Sequence, residues 1–400
     1  MKARNGGRNE LPIGRRVAQW RVRRGMTQQM LADRLGRSKS WVDKVERGVR
    51  RLDRFPVIQD VAGVLRVDAA VLLGRPDPPA AAAAVPEGVD GIRTALACYD
   101  ATWSGPDSRP LLSLAELDRQ IGHAWLTYQH AHHARLLRLL PTLIGDSRRA
   151  HARYPDRAAD LLVQVYRITS SVLVKVGEGE VAWLAADRAM AVAAGHPVRV
   201  AVASVPLAPA LRAVGRAQLA MAATIAAAQR IGPGVSQAPP AELSLHGTLL
   251  LQAAISAAAC ADAAGAGELV GHAAEVAEEI GDGRDHHWTA FGPTAVDLAR
   301  VVVAVELGDG VEAVARHQTV VRRGTWSRLP VEHRAAYLID VARAHLQAGD
   351  LAGAGRTMVE ADRIAAAEIR SRPVARTLVA AVLRGAPDVA HLAGLLGPPA

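Results

Sequence analysis

Between residues 170 and 361 one spacing recurs five times, and it constrains the fold more than any other feature of the chain. Short turns, a Gly or Ala followed by a polar residue, stand at Gly177-Glu178, Gly215-Arg216, Ala261-Asp262, Gly308-Asp309 and Gly349-Asp350. Five residues after the first member of each comes an alanine: Ala182, Ala220, Ala266, Ala313 and Ala354. Twelve after it stand Ala189, Ala227, Ala273 and Ala361, with Val320 the exception. Seven before it stand Ser170, Ala208, Ala254, Val301 and Ala342. Small side chains at fixed offsets on both sides of a turn let two helices approach closely. With aromatics at only 4% of 400 residues, the core must be built from Ala, Leu and Val. That favours close-packed helices over sheets, whose strands need β-branched and aromatic residues. The expected class is all-α.

The charge is unevenly placed. The chain carries a formal +9, yet residues 1–80 hold 18 Lys and Arg against 8 Asp and Glu, and the remainder is close to neutral. A basic fifth joined to a neutral remainder is the electrostatic footprint of a nucleic-acid-binding module on a partner domain. The two parts meet at a break, Pro76-Asp77-Pro78-Pro79 followed by Ala80–Ala84, Val85 and Pro86. Prolines at that density exclude a helix and favour extended geometry. The expected organisation is a disordered basic tail (1–10), a nucleic-acid-binding unit (11–75) and a Pro/Ala linker (76–90). A linking helix at about 91–103 with its loop (to 112) and a helical repeat region (113–396) follow.

Within 11–75 the pattern gives five short helices, at about Ile13–Arg24, Gln28–Leu35, Lys39–Arg47, Arg54–Leu65 and Asp68–Leu73. Thr27 and Ser38 are placed to cap the second and third, offering oxygens to their unpaired first amides. Gly36 supplies the turn between them, where a residue without Cβ takes positive φ. Ala32 is small where the second and third helices cross, and Val42 and Val45 seat the third helix in the bundle. Lys39, Ser40, Asp43, Lys44 and Arg47 fall on the opposite face. Trp41 is read as packing on its own bundle.

The segment Thr27–Gly48 resembles the helix-turn-helix of the Xre (Cro/cI-like) regulators. The resemblance implies that the face of the third helix enters the DNA major groove. Lys39, Ser40 and Lys44 would then read base edges, and Asp43 would either accept from a cytosine amine or orient Lys39. It further implies a phosphate contact for Gln28, with Arg47, Arg50 and Arg51 as backbone clamps beside the cap Ser38. Arg21 and Glu46 match a family pair that ties the first helix to the third, a structural role.

The repeat region resembles the tetratricopeptide (TPR) repeat, although its turns are 38, 46, 47 and 41 residues apart where that repeat has about 34. Together the halves resemble bacterial Xre-type regulators with a TPR-like sensor, a group that includes peptide-pheromone-responsive regulators. This implies a homodimeric transcription regulator of double-stranded operator DNA, its α-superhelical domain binding a small molecule or peptide. A rival reading is a protein-interaction adaptor tethered to DNA. One stretch, Asp285–Thr294, gathers aromatics and histidines in an aromatic-poor region. His287, Trp288, Phe291 and Thr294 either line an effector pocket or fill a gap between repeats.

Enzyme chemistry finds no support. The chain has no Gly-rich phosphate loop, no His-Glu-x-x-His helix and no nucleophile elbow, so no catalytic residue, cofactor or metal is expected. His130, His132 and His133 have poor ligand spacing. Cys98 and Cys260 suit neither a disulfide framework nor a metal knuckle, so the chain reads as cytoplasmic. The longest uncharged stretch, residues 243–261, is too weakly apolar to span a membrane.

Overall fold

The computed structural model describes residues 12–23, 26–50, 52, 55–65, 87–98, 110–232, 238–322 and 324–385. All regular elements among them are helices, and the chain divides into two compact units, Met1–Val85 and Pro86–Ala400. The expected basic tail, the fifth helix at 68–73 and the linker up to residue 86 lie outside the described residues.

The first unit holds α1 (Ile13–Arg23), α2 (Gln28–Leu35), α3 (Lys39–Glu46) and α4 (Phe55–Leu65). Both caps form: Thr27 Oγ1 accepts from the Met30 amide and Ser38 Oγ from the Trp41 amide, each at 3.1 Å. Gly36 ends α2 at φ 60°. Val17, Leu31, Ala32, Val42, Val45, Ile58, Val61 and Leu65 form the core, with Trp41 packed on its edge. A contact that the pattern did not signal sets the crossing of α1 and α3. A Cβ at Gly14 would lie 2.0 Å from the Val45 carbonyl oxygen, so the two backbones touch there.

The second unit opens with α5 (Glu87–Ala97), which starts four residues earlier than the expected linking helix and so takes residues 87–90 out of the expected linker. Val89, Ile92 and Leu96 bury its inner face, and Gly88 lies against the Leu137 backbone. Six hairpins of paired helices follow. They are α6/α7 (Leu114–Gln129, His133–Arg153), α8/α9 (Pro155–Lys175, Gly179–Ala193), α10/α11 (Pro197–Ala213, Ala217–Ile231), α12/α13 (Pro240–Ala259, Ala263–Ile280), α14/α15 (Pro293–Glu306, Gly310–Val321) and α16/α17 (Val331–Gln347, Leu351–Arg370). Helix α18 (Pro373–Gly385) covers the end with Ala375, Val379 and Val382.

Each first helix packs on the first helix of the next hairpin, and each second helix packs between two first helices. First helices therefore form the inner layer of the array, as in a TPR-like α-solenoid. All fifteen small or Val positions of the recurrent spacing are at most 3% exposed, so the spacing marks the sites where helices touch. The sequence pattern found five turns and missed the first. There Ala131 holds φ 56°, where Gly177, Gly215, Gly308 and Gly349 hold 73–84°; Leu136 and Leu143 replace the alanines of the other hairpins.

The array does not stay open. Helix α6 of the first hairpin contacts α16 of the last, and a buried ion cluster seals the seam. Lys175 Nζ bridges Glu332 and Glu368, the latter at 2.9 Å. His133 Nε2 stands 3.0 Å from Glu368, His333 Nδ1 2.9 Å from Glu332, and Arg372 donates to Glu368 at 2.8 Å. Both carboxylates and Lys175 are at most 6% exposed. Burial alone would raise both carboxyls. For Glu332 the Lys175 ammonium and His333 outweigh it, and for Glu368 Lys175, His133 and Arg372 do, so each sits well below the usual carboxylate range.

By length and composition His286–Glu306 could cross a membrane, but it is broken ahead of Pro293 and over half buried in the array. The uncharged stretch 243–261 lies mostly within α12, a core helix.

Candidate functional site

On α3 the buried side is Val42, Val45 and Glu46, and the outward side carries Lys39, Ser40, Lys44 and Arg47, all exposed. The division follows from helical periodicity: the residues that plug the bundle leave their neighbours at i±1 and i±2 facing out. Glu46 is the hub that holds the helix in place. Its carboxylate accepts from Arg21 Nε at 2.5 Å and Nη2 at 2.9 Å, a bidentate pair, and from Gln28 Nε2 at 2.9 Å. Arg21 also donates to the Met26 carbonyl, which fixes the approach to α2.

One expected site residue is engaged within the bundle, and another is paired on the outward face itself. Gln28 sits on Glu46, which leaves one amide proton at the start of α2. Asp43 accepts from Arg47 at 2.6 Å, so its partner is Arg47 and not Lys39. Ser38 is spent as the cap, Arg50 is exposed, and Arg51 lies outside the described residues. Trp41 packs on the core, with the Arg37 guanidinium 5.8 Å from its ring.

In the second unit the candidate residues belong to the loop between α13 and α14 and, for Thr294, to the first turn of α14. This segment runs along the inner layer and touches three first helices. The Trp288 ring stacks on Trp125 of α6 at 5.8 Å and 9°. Arg167 of α8, 1% exposed, holds its guanidinium 5.1 Å from the Trp125 ring and donates to the His287 carbonyl at 3.1 Å. Burial lowers Arg167 to about 10, against the opposing pull of Asp285. Gln129 of α6 donates to Asp285 at 2.6 Å, and Ser244 of α12 meets Thr289 at 3.1 Å.

Phe291, 2% exposed, lies on the bare backbone of Gly247, where a Cβ would come within 1.9 Å of its ring. Of the four expected effector residues, Thr294 lines a cavity of about 320 Å³ together with Gln129, His130, Arg284, Arg328 and Pro330. Thr294 Oγ1 donates to Asp282 at 2.7 Å and lies 2.6 Å from Thr325 Oγ1. Trp288 and Phe291 fill space. The residues the sequence did not point to are Trp125, Gln129, Arg167 and Gly247, which receive the segment from helices distant in the chain.

Among the described residues, no group of three or more His, Cys, Asp or Glu side chains is arranged to hold a metal ion.

Comparison with known proteins separates the two units. A family model described as a helix-turn-helix domain matches residues 12–73, which makes the first unit a helix-turn-helix domain. No curated protein matches the chain. Among solved structures, Bacillus thuringiensis PlcR in complex with the peptide PapR7 and DNA is similar at 11% identity. That match covers 78% of this chain and 93% of that one, with a TM-score of 0.34.

Proposed function

We propose that the protein is a sequence-specific DNA-binding transcription regulator whose helical array senses a small molecule or peptide. The observation that carries this reading is the built face of α3: Lys39, Ser40 and Lys44 stand exposed while the other side of the helix is fixed by Val42, Val45 and the Glu46 hub. Lys39 and Lys44 suit guanine O6 and N7, and Ser40 suits several base edges. Arg47 and Arg50 flank them as phosphate clamps, and the concentration of positive charge in this unit supplies non-specific attraction.

The protein acts as a homodimer, two heads reading two half-sites, and the effector shifts the array between shapes that re-space the heads.

Selection from a randomised DNA library tests the proposal. Lys44→Ala should relax preference at one base position and cost about 1–3 kcal/mol on the selected site. Arg50→Ala should weaken binding to all sequences alike and leave the preferred site unchanged. A Lys44→Ala protein that kept every base preference of the parent would remove α3 from the groove.

A further inference from the structure

We propose that the segment Asp282–Gly292 is an internal occupant of the array's inner face, and that it must be expelled before an effector can take that face. The segment bridges the first helices of the first, second and fourth hairpins through Trp125, Gln129, Arg167 and Ser244. Those helices form the inner layer, so the segment occupies the surface that the solenoid would otherwise present.

Its fit is that of a docked strap more than of a relaxed connection. Three residues without glycine's freedom, His287, Trp288 and Ala290, hold φ of 52°, 58° and 49°. Left-handed backbone at such residues is costly and persists only where surrounding contacts impose it. Two buried nitrogens at this contact, Nε of Arg167 and Nε2 of His286, have no hydrogen-bond partner among the described residues. A connection of this length between α13 and α14 has no need of such conformations. A surface that imposes them, and still holds an unsatisfied guanidinium donor, is suited to a better occupant. That occupant must present a flat ring to Trp125 and a carbonyl or carboxylate acceptor to Arg167, as Trp288 and the His287 carbonyl now do.

The proposal rests on the sensor reading only for what replaces the segment; the docking is tested without DNA. The probe is a fluorescently labelled synthetic peptide of residues 282–292, titrated into the full-length chain. In the parent the tethered copy outcompetes it through its high effective concentration. Trp288→Ala removes the ring stack, and the labelled peptide should bind that chain up to about ten-fold more tightly than the parent, the upper range for one aromatic pair. Equal binding to both chains, or none to a Trp288→Ala chain of parental helix content, overturns the proposal.

Hydrogen exchange on the unmodified parent gives a second reading that needs no variant. The Thr289 and Ala290 amides, bonded to the His286 carbonyl and the Asp285 carboxylate, should exchange through a local opening well before the core of α12 and α14. Exchange of these amides only with global unfolding would make the segment ordinary core and overturn the proposal. Peptide capture without change in operator affinity supports the docking and overturns only the sensor reading.

Discussion

Each unit is organised around a buried carboxylate hub, and the two hubs are built at different ranges. In the first unit Glu46 gathers Arg21 and Gln28, 25 and 18 residues away. In the second, Glu368 gathers Lys175 and His133 from the far side of the array, with Lys175 193 residues away. The first hub orients one helix within a bundle of short connections. The second closes a chain of hairpins on itself, and no hairpin taken alone would form it. A hub of the first kind is part of a local motif; a hub of the second kind reports on curvature accumulated over six hairpins.

Removing the cation from the second hub should show the larger effect. Lys175→Met leaves Glu332 and Glu368 buried beside each other without it, a loss of roughly 3–5 kcal/mol, read as a lower urea midpoint for the second unit. Glu46→Ala should cost the first unit less, about 2–3 kcal/mol, because Arg21 retains some contact with solvent at 14% side-chain exposure. Following the melting of both units in each variant tests the independence of the hubs. If either substitution lowered both transitions equally, the contrast drawn above would fail.

Gly247→Ala probes packing in the second unit and not charge. The added methyl would overlap the Phe291 ring and force the loop off α12, at about 1–3 kcal/mol. Faster exchange at the Ala290 amide should accompany it; an unchanged rate would mean the ring moves without its backbone.

The smallest expected effect is the pH profile of the seam. The depressed carboxyls Glu332 and Glu368 contribute stability present above the unfolded value of ~4.3 and lost as pH falls through their folded values. Burial would lower His333, but Glu332 outweighs it and raises the imidazole. Its contribution is therefore full below ~6.5 and lost as pH rises through the raised value. The second unit should be most stable between these limits, with a shallow decline on the alkaline side, since His333 is partly exposed. His333→Gln should flatten the alkaline arm alone; an unchanged arm would assign it to another group.

The first unit was largely legible in the sequence because its determinants are local. Caps, turn glycine, Ala32 and the two valines of α3 each act within a few residues of their own position, and the pair Arg21 and Glu46 came with the resemblance. What escaped was Gly14, whose meaning lies in a contact with the Val45 carbonyl on another helix. In the array the recurrent spacing marked five of six hairpins, since helix crossing selects small residues wherever it occurs. The α6/α7 hairpin escaped because leucines, Leu136 and Leu143, fill the crossing positions that Ala or Val holds in the other hairpins. Of the two readings of Asp43, orienting Lys39 is not what the structure shows: Lys39 and Arg47 both stand one helical turn away, and side-chain placement pairs it with Arg47.

The aromatic segment divides the two kinds of information most clearly. Its composition set it apart in the sequence, and its alternatives, pocket lining or filler, could not be separated there. Which helices receive Trp288 and the His287 carbonyl depends on where α6, α8 and α12 come to lie once the hairpins have curved. By itself the sequence determined the helical class, the repeat and the exposed face of α3, because helix periodicity, turn chemistry and close packing act over one or two turns of chain. Only the tertiary structure decided the closure through Lys175, Glu332 and Glu368 and the filling of the inner layer. Both depend on the summed angles of many helix crossings, which no local spacing encodes.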